Sequence, residues 1–517
     1  MKLSEILENQ QLTTDVIRRW ITVGVCMVVA VVVADWVANQ QLSMLAICAG
    51  VALTAFVAAG MQRSAWLLVL VGWYLSGNIY ALPIPVATRD IAVLLATCAY
   101  LAHRILVGHS SRPSRNILGA LVAMNCADIV LIFLKHPIGV RALGAETMGG
   151  RMYFTVFIAF CAYWVIVHLP ESYKSVTRIP QWLIASTAFV AMINLAVYLF
   201  PSITLYVLPF YGAIDYTGYF HTGSAEAGVQ RFKLLAPFGL MLVQVLAAYY
   251  TPRTLLNPLR WRFYLFLLGL SCLFAGGFRS MLLFAFGSLA LASWFHRGWR
   301  ELIVGGIVGV AFFGLLTFGQ GRFYELPLTA QRALAFLPGR WAEVIYDEVK
   351  SSDSRFEWWR RVIHEGFVHN WLLGDGIGVS QQDFALLAGS NQSEWFDITG
   401  GYHNGPLSTI RYAGVLGLIL FYALMIAGAI YSTECVRRCR GTPLFPVAVF
   451  LAIQLIWWPI QFTFVFGGYD SAVPEQFFLV GLLCLVIRMA DTVPPPERPM
   501  MRNRLASAPR TAPALRA

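Results

Sequence analysis

The run Ser354-Arg355-Phe356-Glu357-Trp358-Trp359-Arg360-Arg361 opens a stretch that is polar, aromatic and cationic at once. It turns at Leu373-Gly374-Asp375-Gly376-Ile377-Gly378. It closes with Tyr402-His403-Asn404-Gly405-Pro406-Leu407 and Tyr412-Ala413-Gly414-Val415-Leu416-Gly417. On both sides lie unbroken apolar runs of roughly 15 to 20 residues, long enough for membrane helices and unlike the alternation of a membrane barrel strand. A polar stretch of that length between spans exceeds what a connection requires, so it is a candidate for chemistry.

Composition agrees. Of 517 residues, 58% are hydrophobic and only 13% charged, against about 25% charged in soluble domains. Mean hydropathy is +0.64. The formal net charge of +11 follows from basic loops that hold spans in place, and no run interleaves cations and aromatics as a nucleic-acid groove would. Seven of the nine Cys fall inside apolar runs. Cys435 and Cys439 fall in a basic stretch read as a cytoplasmic loop, so no structural disulfide is expected in the outer segments.

The fold class is all-α integral membrane protein. Spans are expected at about 20–38, 42–60, 64–81, 89–107, 116–134, 149–169, 181–200, 234–250, 262–278, 279–296, 301–319, 407–431, 443–465 and 473–490. That makes about fourteen (twelve to fourteen), with one long, partly helical outer loop at 320–406. The weakest are 64–81 and 116–134, the latter carrying Asn125 and Asp128. Residues 1–19 form an inner N-terminus, and 491–517, rich in Pro, Ala and Arg, form a disordered inner tail. With that orientation, alternate loops are basic, from Arg63 to Arg437, Arg438 and Arg440.

Cations on the opposite side are the exceptions. They are Arg89, Lys135, Arg141, Arg151, Arg231, Lys233 and Arg279, followed by several between Arg322 and Arg361. Singly, each could snorkel or pair with Glu146, Asp215 or Glu226. Together, near helix ends, they favour an anion site.

The motifs above follow one order that resembles the shared domain of the O-antigen ligases, O-antigen polymerases and protein O-oligosaccharyltransferases. Upstream, Gly276-Gly277-Phe278-Arg279-Ser280-Met281 is similar to the Arg-Ser signature opening a helix of that domain. The resemblance covers roughly 230–431; residues 20–230 share only hydropathy, and 432–490 hold the last spans. Two departures are visible. Phe278 stands where a small or hydroxyl residue is usual, and Pro237-Phe238 replaces a usual Pro-Asn.

The resemblance implies a metal-independent, inverting glycosyltransferase of the bacterial inner membrane, with its site and loop 320–406 facing the periplasm. It implies an undecaprenyl-diphosphate-linked glycan donor, a lipid A core or glycan acceptor hydroxyl, membrane lipids as surroundings, and no cofactor. Carried over, His403 serves the acceptor, while Arg279 and Arg231, the latter with Lys233 as rival, hold the diphosphate. Arg355, Arg151, Arg141 and Asn404 are further candidates for donor or acceptor contact.

The residue types suit that chemistry. Arg binds phosphate oxygens bidentately, and Arg279 falls where a helix N-terminus adds attraction for an anion. His titrates near neutral pH and can take a hydroxyl proton. His364 and His369, five apart, make a poor metal pair. Trp341, Trp358, Trp359, Trp371, Trp395 and Tyr402 offer sugar platforms, although packing and interfacial anchoring explain most aromatics of this kind. Asp35, Asp90 and Asp128 in or beside spans suggest a proton-coupled transporter as the rival class. Against it, no internal repeat is evident.

Overall fold

The computed structural model describes residues 66–82, 86–107, 117–136, 147–148, 150–168, 173–214, 231–380, 400–465 and 467–492, with Gly24, Met27, Val31 and Gly150 helical or in turns. The expected spans 20–38 and 42–60, the tail from 493, Arg141, His221 and Trp395 lie outside the described residues, apart from those three positions in the first span.

The described chain is mostly helical. Seven helices are long and apolar enough to cross a membrane: Ile117–Lys135, Arg151–His168, Lys174–Leu199, Trp299–Gly319, Gly405–Arg438, Phe445–Val465 and Tyr469–Ala490. Thr88–Val107 and Arg279–Arg297 are of comparable length, while Leu235–Tyr249 and Trp261–Gly276 are shorter and apolar. The segment 116–134, with its polar Asn125 and Asp128, is therefore a helix of spanning length.

Three expectations need correction. The helix expected over 64–81 ends at Gly72. Trp73 and Tyr74 then turn, and Asn78–Ile79 pairs antiparallel with Val86–Ala87. Gly77 favours such a ribbon over a continued helix. Second, Cys435 is not in a loop but in the last turn of the helix Gly405–Arg438, while Cys439 stands in the turn that follows it; both are buried, with sulfurs 3.9 Å apart. Third, that helix runs seven residues past the expected end at 431.

Tyr469–Ala490 is the centre of the bundle, with 83% of its apolar window buried, whereas Trp299–Gly319 is 6% buried and faces outward. Between spans in lipid, close packing replaces the hydrophobic effect, and small residues let backbones touch. A Cβ on Gly239 would lie 2.6 Å from the Gly269 carbonyl oxygen, and one on Gly276 2.4 Å from the Ala236 side chain. These glycines bring Leu235–Tyr249 and Trp261–Gly276 into direct contact, which places the residues around 231 beside the end of the second helix.

The outer stretch is braced onto the membrane domain. The carboxylate of Asp375 accepts from the backbone N–H groups of His369 (2.9 Å) and Asn370 (2.8 Å) and pairs with Arg411 at 2.6 Å. Backbone bonds run from Asp375 N to Arg411 O (2.8 Å) and from Val415 N to Trp371 O (2.8 Å). The brace fits because Gly374 and Gly414 lack a Cβ; on Gly414 it would sit 2.2 Å from the Leu372 oxygen. The two glycine motifs of the sequence are thus two halves of one clasp.

Candidate functional site at one end of the bundle

The starts of Arg151–His168, Leu235–Tyr249, Arg279–Arg297 and Tyr469–Ala490 share one end of the bundle, since Arg151, Pro237, Met281 and Asp470 line one cavity, and Gly405, which begins Gly405–Arg438, packs on Phe462 and Gly467 beside it. Arg151, Arg231, Lys233, Arg279 and His403 all fall at that end.

Positive charge gathers around one glycine. The helix Trp261–Gly276 is capped by Gly277 with φ 66°, a left-handed conformation that glycine adopts without strain. Phe278 is extended, and Arg279 begins the next helix. Arg231 Nε donates to the Gly276 carbonyl (3.3 Å), and its guanidinium stacks 4.3 Å from the Phe278 ring centroid. The unusual Phe278 is therefore the platform for Arg231, an arrangement worth about 0.5–2 kcal/mol. Arg279 Nε donates to the Arg332 carbonyl (3.1 Å).

Arg332 is the third member, and the sequence did not single it out from its neighbours. It sits on the short helix Leu328–Leu334, buried, where Ala333 and Leu334 pack against Leu282. A Cβ on Gly277 would meet Arg332 Cδ at 3.6 Å and Arg231 Nε at 3.7 Å. Three arginines from three segments thus converge on one turn. Arg231 meets that turn directly, with Lys233 two residues further along.

His403 lies on a separate segment. Its φ of 51° is the one positive value of a non-glycine residue among the described residues. Such conformations cost of order 1–3 kcal/mol and concentrate at functional positions. The ring packs edge-on to Trp358, with centroids 6.1 Å apart. Beneath it, buried Tyr402 packs with Val362 and Leu407, and its carbonyl accepts from the Trp359 indole (2.8 Å). Trp358 and Trp359 therefore support the histidine's loop. Asn404 caps the helix, its side-chain oxygen accepting from Leu407 N (3.0 Å), so that oxygen has a structural partner.

A cavity of about 650 Å³ opens in the same end of the bundle, lined by neither the three arginines nor His403. Met281 and Phe284, just inside the Arg279 helix, form part of one wall. Gln461 lines another, next to Phe462, whose carbonyl oxygen would sit 2.4 Å from a Cβ on Gly405. The cavity thus borders both the arginine helix and the support of the His403 loop. Arg151, expected as a substrate contact, also lines it and donates to the Asn78 side chain. Arg355 lies within the helix Glu343–His364. Trp341 is buried in packing, and Trp371 is exposed. Of the carboxylates that suggested transport, Asp90 pairs with Arg89 (3.4 Å), and Asp128 is buried.

His136 was also missed. It follows Ile117–Lys135 and lies against Gly376, where a Cβ would come within 2.8 Å of the His136 Cβ. Burial holds its pKa below the ordinary histidine value, with Lys135 and Arg411 acting the same way and Asp375 opposing.

Residues 264–422 match the family model described as O-antigen ligase. The matched segment contains Gly277, Arg279, Arg332, both halves of the clasp and His403, while Arg231 and the last two spans lie outside it. No curated protein matches the chain.

Proposed function

We propose that this multi-pass membrane protein, an enzyme of glycan transfer by its O-antigen ligase domain, moves a glycan from an undecaprenyl-diphosphate carrier to an acceptor hydroxyl at the periplasmic face of the inner membrane. The observation that carries the reading is the convergence of Arg231, Arg279 and Arg332 on the Gly277 turn. Guanidinium groups bind phosphate oxygens in pairs, and the first turn of a helix adds a positive dipole end. A diphosphate held there gains negative charge as its bond to the sugar breaks, so fixed cations favour the transition state over the bound donor.

His403 supplies the other half. Neutral imidazole takes the acceptor's hydroxyl proton as the oxygen attacks the anomeric carbon, with inversion, while the diphosphate leaves on the arginines. The braced loop fixes its position, with Trp358 at its edge, which limits the reorganisation the reaction requires.

The test uses purified full-length protein in detergent, given an undecaprenyl-diphosphate-linked glycan with and without lipid A core. Product on lipid A core makes it a ligase. Chains laddered on the carrier without added acceptor make it a polymerase. Unchanged donor under both conditions refutes glycan transfer.

A further inference from the structure

The cavity at this end of the bundle combines apolar side chains, Met152, Leu240, Met241, Met281 and Phe284 among them, with a set of polar groups that a hydrocarbon chain does not want. Glu475, Asp470, Gln244, Gln454 and Gln461 line it, with Trp457 and Trp458 between them. Glu475 is held in place by two neutral donors: the Trp73 indole reaches Oε2 at 2.7 Å and the Tyr74 hydroxyl reaches Oε1 at 3.0 Å. Those two bonds use part of a carboxylate's capacity of about four acceptor sites. Gln454 Nε2 donates to Gln244 Oε1 (2.7 Å), and Gln244 Nε2 donates to Ser288 Oγ (3.1 Å). The ladder fixes both amides. The indole N–H groups of Trp457 and Trp458 are buried, and no acceptor among the described residues meets either.

A polyprenyl tail in this space would leave carboxylates and amides against hydrocarbon, at a cost of several kcal/mol. A pyranose ring fits the same walls. Its hydroxyls donate to carboxylates, both donate to and accept from amides, and its C–H face packs on indole. The volume falls within the roughly 300–1,000 Å³ of small-molecule sites. Position narrows the occupant. Pro237 and Met281, each the third residue of the helix that follows Arg231 or begins at Arg279, both line it, so the chamber lies at the end of the bundle where those arginines stand.

We infer that this cavity is a sugar chamber that takes the pyranose joined directly to the diphosphate, with Glu475 accepting hydrogen bonds from its hydroxyls and the Gln244–Gln454 ladder completing the contact. The inference rests on the glycan-transfer reading above and deepens it: the donor's first sugar is selected inside the helical bundle, separately from the arginines that hold the phosphates. Trp73 is a positioning residue, acting through Glu475, while Tyr74 both holds Glu475 and lines the chamber.

Binding of two probes to the purified full-length protein tests this, read by quenching of intrinsic tryptophan fluorescence. One probe is a short-chain polyprenyl diphosphate; the other carries a single N-acetylhexosamine on the same diphosphate. Wild-type protein should bind the sugar-bearing probe about tenfold tighter or more, as expected for buried hydrogen bonds to Glu475 and its neighbours. Glu475→Gln should reduce that preference to within about twofold and leave the bare probe's affinity unchanged. Arg279→Gln should weaken both probes by the same factor.

Equal affinity of wild-type protein for the two probes would overturn the chamber while leaving the diphosphate reading in place. Binding of neither probe would remove both. An equal loss for both probes in Glu475→Gln would also refute a sugar-specific role. Gln454→Leu gives a second measurement of the same preference should Glu475→Gln fail to insert, and an unchanged preference in that variant refutes the chamber.

Discussion

Replacing Gly414 by alanine probes the clasp that ties the outer stretch to the membrane domain. Gly414 has φ 68° and ψ −174° in the middle of the helix Gly405–Arg438, a region that side-chain-bearing residues enter at a cost of about 1–3 kcal/mol. The added Cβ would lie 2.2 Å from Leu372 O and 2.5 Å from Leu373 N, and both are backbone atoms that cannot rotate away. The strands of the clasp must separate, weakening Val415 N to Trp371 O (2.8 Å) and Leu416 N to Leu372 O (3.3 Å). At about 1 kcal/mol net for each hydrogen bond, the total loss is roughly 3–5 kcal/mol. Tyr412 moves with the clasp, and Gly400, three residues before His403, packs against its ring. Gly414→Ala should therefore melt several degrees lower in detergent, be cut faster by trypsin at the exposed Arg360 and Arg361 as their helix loosens, and lose transfer. Gly309→Ala is the comparison: nothing lies within 4 Å of its Cβ position on the outward helix Trp299–Gly319, so its melting should be unchanged. A Gly414→Ala protein that melts and resists trypsin like the parent would refute the clasp.

Asp375→Asn removes the charge that pairs with Arg411 and should destabilise the same clasp by about 2–4 kcal/mol, read as a lower melting temperature with earlier cleavage at Arg360. His403→Ala should abolish transfer while melting within a few degrees of the parent, and normal transfer by that variant would sink its assigned role. Arg332→Gln should weaken binding of a polyprenyl diphosphate by about tenfold, and unchanged affinity would remove it from the anion site. Because burial lowers the His136 pKa, the folded state binds fewer protons than the unfolded one. Its contribution to stability is complete above about pH 6.5 and declines as pH falls below that value; His136→Gln should flatten this part of the melting profile.

Much of the architecture was legible in the sequence because a bilayer imposes a length and a polarity on every span. The helices near 116–134, 149–169 and 301–319, the turn at Gly276-Gly277 and the start of a helix at Arg279 all follow from that constraint and from local glycine chemistry. The motif order around His403 likewise pointed to the matched domain. Where local signals competed, the reading failed: 64–81 has the hydropathy of a span, yet the helix ends at Gly72, with Gly77 shortly after it. That early end frees Trp73 and Tyr74 to grip Glu475.

Long-range packing was not legible. Arg332 is one cation among many between Arg322 and Arg361, and only the docking of Leu328–Leu334 against the Arg279 helix brings it to Gly277. The glycine motifs at 374–378 and 414–417 looked like loop punctuation, although each supplies the space that the other's backbone fills. Gln244, Gln454 and Glu475 are more than 200 residues apart at the extremes and share a cavity only because three helices meet there. The sequence by itself determined which segments are helices, which end of each is polar, and which residue types could bind phosphate or take a proton. Tertiary structure alone decided which of those residues meet, because convergence depends on helix crossings set by small residues such as Gly239, Gly269 and Gly276, and no local pattern records their partners.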